Sequence, residues 1–168
     1  MAIEKKEILM GKGRTPEWIQ KFINDIHEHQ VKLPDSPDHI LVILKGHLLV
    51  EQEINRLLET KVPNPDALGI RKRSGPTFFH KLRLLRALIP KPEPVPDLWN
   101  VVEELNKLRN DLAHELSPEN VEESINRFTS DVINTFEIAK YYHTKSQRVR
   151  LQTSILLIVH RLTCLTNC

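Results

Sequence analysis

Apolar residues in this chain recur at steps of three and four along nearly its whole length, and runs that alternate β-branched or aromatic residues with polar ones are missing. That is the period of helices with one buried face, and not the period of two that a half-buried strand requires. The chain therefore reads as all-α, a compact up-and-down bundle of about five to six helices. At 168 residues, with 40% hydrophobic and 27% charged side chains, it fits one domain spanning 1–168. Its core covers about 15–143, and a basic linker and C-terminal helix occupy 144–168.

Local signals divide the chain further. Thr15-Pro16 opens a first helix that lines up Trp18, Phe22 and Ile26, and Ser36-Pro37 opens a second that runs to about Thr60. A long loop follows, Lys61 to Thr77, with the basic triplet Arg71-Lys72-Arg73. The third helix, Thr77 to Ile89, turns Phe78, Leu82, Leu85 and Ile89 inward. Prolines at 90, 92, 94 and 96 predict a short extended strut, since none of them fits a helix interior. Asp97 caps a fourth helix with Leu98, Val102, Leu105, Leu108 and Leu112 on its apolar side. Ser117-Pro118 opens a fifth, and Leu151 to Leu165 forms a last one. Its residues Ile155, Leu156, Val159 and Leu162 form an apolar face that a five-helix core would leave uncovered, which predicts a symmetric homodimer.

Charge and composition exclude several classes. The formal net charge is +2, from 24 basic and 22 acidic residues, so no whole-molecule field draws the chain to DNA or to an anionic membrane. The longest aliphatic runs, 40–44 and 155–159, fall far short of the ~18 residues of a membrane span. Two cysteines, Cys164 and Cys168, make no disulfide framework, and the opening MAIEKKEILM has no apolar signal stretch, so a cytoplasmic location is expected. His160, Cys164 and Cys168 share a helical face but lack a fourth zinc ligand, and no other metal or cofactor motif is present.

Polar residues sit where a core is expected. With Leu105 at zero and 100° per residue, Arg109 lies about 40° round, inside the apolar stripe of the fourth helix. With Ile40 at zero, His47, Glu51 and Asn55 fall in the middle of the inward face of the second helix. Two unpaired charges in a core are costly, so Glu51 and Arg109 are expected to meet, either as a structural ion pair or as the wall of a polar site. Asn110 stands four residues before His114 and can hold its imidazole in one orientation. The strongest basic cluster joins Arg71, Lys72 and Arg73 to Lys81, Arg83 and Arg86. It is either a solvated face or a track for a phosphate backbone, with Phe78, Phe79 or Trp99 as base platforms or as core.

The stretch Arg109-Asn110-Asp111-Leu112-Ala113-His114 resembles the motif of the HEPN superfamily, small all-α proteins marked by an arginine, a polar residue and a histidine four to six residues after the arginine. Gly46-His47-Leu48-Leu49-Val50-Glu51 is similar to the family's early helix, and Phe79-His80-Lys81-Leu82-Arg83-Leu84-Leu85 to the helix before the motif, also in the branch of the mannitol operon repressor. The resemblance covers about 38–139. It implies one of two functions. The first is a metal-independent endoribonuclease, toxin-like or defence-related, in which Arg109 clamps the phosphate, His114 moves the proton, Asn110 orients His114, and Glu51 and His47 support them. The second is a non-catalytic regulatory domain acting through protein contacts. The partners implied are RNA, a second copy of the chain, and an antitoxin or regulatory protein.

Overall fold

The computed structural model describes residues 17, 32–72, 74–114, 118–137 and 145–167, with the backbone alone at 113, 114, 118 and 119. Six helices lie among them: α1 (His39–Lys61), α2 (Pro65–Leu68), α3 (Phe78–Leu88), α4 (Leu98–His114), α5 (Pro118–Thr135) and α6 (Gln147–Thr166). No described residue is in a strand, so the fold is an all-α bundle. The helix expected from Thr15 onward falls outside the described residues, except for Glu17, which is helical and exposed.

Short side chains start three of the helices, at or within a few residues of the expected places. Asp38 rather than Ser36 caps α1, accepting from the backbone N–H of Ile40 and Leu41, while Ser36 in turn accepts from the Asp38 N–H. Thr77 caps α3 and Ser146 caps α6, which begins four residues before the expected Leu151. The long loop is not featureless. Asn64 caps the single turn of α2, and Gly69 ends it with φ 56°, a left-handed conformation that favours glycine. The proline-rich stretch is not an extended strut either. Val95 donates to the Pro92 carbonyl and Leu98 to that of Val95, so the chain folds into consecutive turns with Pro92 and Val95 buried. Trp99 then donates its indole N–H to the Ile89 carbonyl at 2.7 Å and ties those turns to the end of α3.

The main partner of α1 is α6, and α1 also packs on α4 and α3, while α5 closes the bundle against α4 and α6. Gly46 makes the α1–α6 approach possible, because a Cβ there would lie 2.6 and 2.8 Å from the Cδ1 and Cγ2 of Ile155. The expected uncovered face on the last helix is therefore covered: Ile155, Leu156, Val159 and Leu162 are all buried within their own chain. Gln152 donates to the Pro34 carbonyl and Arg148 pairs with Asp35, fastening the approach to α1 onto α6.

The buried arc of α1 runs through Val42, Gly46, Val50, Glu53 and Leu57 as well as Ile43, Ile54 and Leu58. Its centre lies roughly 80° away from Ile40 at 100° per residue. Ile40, Leu41, Leu44 and Leu48 consequently remain exposed, at 47, 39, 41 and 58%. The C-terminal helix needs a close, glycine-bearing face, and the face centred on Gly46 supplies it in preference to the equally apolar one beside it.

Candidate functional site

Three helices bring polar groups together where α1, α3 and α4 meet. His47 of α1 is buried, stacked on the Phe78 ring of α3 with centroids 4.6 Å apart, and its Nε2 lies 3.1 Å from the Oδ1 of Asn106 on α4. With that oxygen as acceptor, Nε2 carries the proton and donates. Burial is the main reason why the His47 pKa is held below its ordinary 6.5. The Asn106 hydrogen bond and the negative charge of Glu51 oppose that shift, and the positive charge of Arg109 adds to it. Glu51 and Arg109 therefore act on one imidazole with opposite sign.

They do not meet as a pair. Glu51 Oε1 accepts from Lys81 Nζ at 2.9 Å, across α1 and α3, with the Lys81 side chain 6% and the Glu51 side chain 30% exposed. Arg109 is exposed instead of buried, and its Nη1 donates to the Oδ1 of neighbouring Asn110 at 3.0 Å. The physical reason is that burial fades along α4: Leu105 and Leu108 are buried, Leu112 only half so, and α1 on the same side leaves Leu44 and Leu48 open. A residue 40° off the stripe centre is inside the core only where a neighbour is there to cover it. Asn110 thus serves Arg109 in this arrangement, and its expected contact with His114 lies outside the described side chains.

Lys81, grouped above with the basic cluster as solvated face or phosphate track, is the partner of Glu51 instead. It belongs inside, because Phe78, Lys81, Leu82 and Leu85 are spaced i, i+3, i+4 and i+7 and form the buried stripe of α3. The same test that singled out Arg109 finds it. Asn106 was also missed, and its only signal is its place one residue after Leu105, on the shoulder of the α4 stripe.

The basic cluster loses most of its free charge. Arg71 is tied to Glu59 through Nε and Nη2 at 2.5 and 2.8 Å, an exposed fork that lowers the Glu59 pKa chiefly through its hydrogen bond. Arg86 pairs with Glu103 and Lys81 with Glu51, while Arg73 lies outside the described residues. Lys72 and Arg83 remain exposed, with the Arg83 guanidinium 5.6 Å from the centre of the Phe79 ring. Of the three aromatic platforms considered, Phe78 and Trp99 are core residues and Phe79 is 48% exposed.

A groove of about 430 Å³ runs between α3 and α4 beside these groups, lined among others by Phe79, Glu104, Asn106, Asn110 and Asp111. The Phe78 ring against which His47 packs and the Asn110 amide that accepts from Arg109 line it too, as does Lys107. On α6 the thiol of Cys164 lies 3.6 Å from His160 Nε2, while Cys168 lies outside the described residues. No group of three or more His, Cys, Asp or Glu residues that could hold a metal occurs among the described residues, and no described helix is long and apolar enough to cross a membrane. No family model matches this chain, and no curated protein or solved structure matches it.

Proposed function

We propose that this chain is a HEPN-type endoribonuclease that cleaves RNA without a metal, with Arg109 and His114 as its reacting groups. One observation carries the reading. Among the described residues Arg56, Arg71, Arg86 and Arg148 each pair with a carboxylate, whereas Arg109, like Arg83, Arg127, Arg150 and Arg161, does not. What distinguishes Arg109 is its place, exposed near the end of the helix that carries the Arg109–His114 stretch, with the Asn110 amide as its hydrogen-bond partner. A guanidinium left with its full charge is what a crowded phosphorane needs, and its two parallel N–H donors match phosphate oxygens. In the reaction the 2′-oxygen bonds to phosphorus and gives up its proton, the bond to the 5′-oxygen breaks, and a proton passes to that leaving oxygen. His114 is the group assigned to the proton traffic, and the products are a 2′,3′-cyclic phosphate and a 5′-hydroxyl. The reading includes a cytoplasmic protein, RNA as substrate, and a second copy of the chain meeting the first along the exposed Ile40, Leu44 and Leu48 stripe. In a toxin-like setting it also includes an antitoxin.

A second reading, a non-catalytic domain that regulates through protein contacts as its likeness to the mannitol operon repressor branch suggests, has its own support. The groove beside the motif carries carboxylates, and Lys81 and Arg71, two of the expected phosphate contacts, are spent on Glu51 and Glu59. Incubating purified chain with single-stranded RNA in EDTA separates the two readings. Cleavage that leaves cyclic phosphate ends, and is lost in Arg109→Ala and in His114→Ala with the fold intact, supports the enzyme. No cleavage, cleavage that survives both substitutions, or a requirement for magnesium refutes it.

A further inference from the structure

The geometry points to the α3–α4 groove as a site for a single guanine base, next to the phosphate position at Arg109; the inference rests on the ribonuclease reading and names the base that the enzyme would prefer. Guanine differs from the other three bases in presenting two adjacent donors, N1–H and N2–H, beside one acceptor, O6. A carboxylate accepts both donors at once, and an amide NH₂ next to it completes the match.

The groove holds those groups. Glu104 and Asp111 line it, and among the described residues neither has an ion-pair partner, in contrast to Glu103, which Arg86 neutralises. Asn106 lines it as well. Its Oδ1 accepts from His47 Nε2 and its NH₂ has no partner among the described residues, so it is free to donate, as O6 requires. Because His47 is buried and wedged against Phe78, the amide is held in that orientation. Phe79, on the same groove and 48% exposed, supplies a flat apolar surface for one face of the base. The volume of about 430 Å³ is in the range of small-ligand sites.

The charge pattern sorts the parts of a nucleotide. Lys107 also lines the groove, but the two unpaired carboxylates of Glu104 and Asp111 against its one ammonium leave the lining net negative, which favours N–H donors of a base over a phosphate. Asn110 joins the two regions, since it lines the groove and accepts from Arg109. A base in the groove therefore lies beside the residue to which the Arg109 guanidinium donates. Adenine and cytosine each turn an acceptor toward the carboxylate, and uracil offers it only one donor.

The test is a titration of the full chain with GMP, AMP, CMP and UMP, followed by NMR or calorimetry, with a short arginine-rich peptide as a fifth probe. GMP is expected to bind about tenfold or more tighter than the other three nucleotides. Glu104→Gln or Asp111→Asn, whichever carboxylate faces the base, removes that preference, and Phe79→Ala weakens all four. These are exposed or half-buried positions, and circular dichroism checks that the variants remain folded. Equal binding of the four nucleotides, no nucleotide binding, a guanine preference that survives both carboxylate variants, or binding of the peptide alone overturns the inference. The outcome is separable from that of the nuclease assay. Selective GMP binding by a chain that cuts no RNA leaves the base site standing and removes the enzyme, and metal-free cleavage without GMP binding does the reverse.

Discussion

Replacing Glu51 by alanine tests the polar junction most directly, because the two ends of its ion pair are buried unequally. The Lys81 side chain is 6% exposed and that of Glu51 30%. Removing the carboxylate leaves the lysine ammonium in the bundle with its only described anionic partner gone. Breaking a fully dry pair in this way costs about 3–5 kcal/mol. Water can enter on the Glu51 side, which places the expected loss for Glu51→Ala at about 2–3 kcal/mol, or roughly 5–10 °C in Tm for a chain of this length. Lys81→Met is the informative control. It keeps the length and apolar stem of the side chain, and it leaves behind a carboxylate that can turn to solvent, so its cost should be under about 1 kcal/mol. The double variant should then resemble Lys81→Met alone, giving a coupling of about 2 kcal/mol. Urea or thermal unfolding of the four chains reads these values. A Lys81→Met loss equal to or larger than that of Glu51→Ala would refute the argument. So would Arg109→Ala as damaging as Glu51→Ala, since the exposed Arg109 is expected to cost no more than about 0.5 kcal/mol.

Three further outcomes follow from the same geometry. Gly46→Ala places a Cβ against the buried Ile155, and overpacking of about 1–3 kcal/mol outweighs the helix-propensity gain of about 1 kcal/mol; adding Ile155→Val, which deletes the Cδ1 at 2.6 Å, should restore part of the loss in unfolding experiments. His47 should titrate below 6.5 by NMR, moving lower still in Glu51→Gln and higher in Arg109→Ala; because the unfolded chain then binds the proton more readily, His47 contributes stability that is complete above pH 6.5 and is lost as the pH falls toward its folded value. Light scattering should give twice the 19.5 kDa chain mass, and Leu44→Lys with Leu48→Lys should return the monomer; a wild-type mass near 19.5 kDa would refute the dimer.

The helices were legible because each is specified within its own residues. Spacing of three and four marks the stripes, and Thr77 marks the cap of α3 as expected, whereas the starts of α1 and α6 were placed at Ser36-Pro37 and Leu151 and are capped instead by Asp38 and Ser146. What the spacing did not settle was which way α1 faces. That helix is apolar over most of its circumference, so an arc centred on Ile40 looks as good as the one that is buried. The choice is made by α6, which is itself buried over most of its length and needs the close approach that Gly46 alone permits. A glycine in the middle of an apolar helix was the available signal, since it weakens the helix and has to be compensated by packing.

The error at the site has the same origin. Glu51 and Arg109 were matched because each falls on a stripe drawn from one helix taken alone, and opposite charges on two such stripes invite pairing. A stripe says where a neighbour is wanted, and not how far along the helix a neighbour extends. Lys81, near the start of α3, lies opposite α1 and takes Glu51, while Arg109, just past buried Leu108 where cover over α4 fades, is exposed. On the nuclease reading proposed above the mismatch matters, because a lysine neutralises Glu51 and the Arg109 guanidinium is not tied to a carboxylate. His47 registers both charges, so its titration in the Glu51 and Arg109 variants measures directly how far the two sides of the junction have been kept apart.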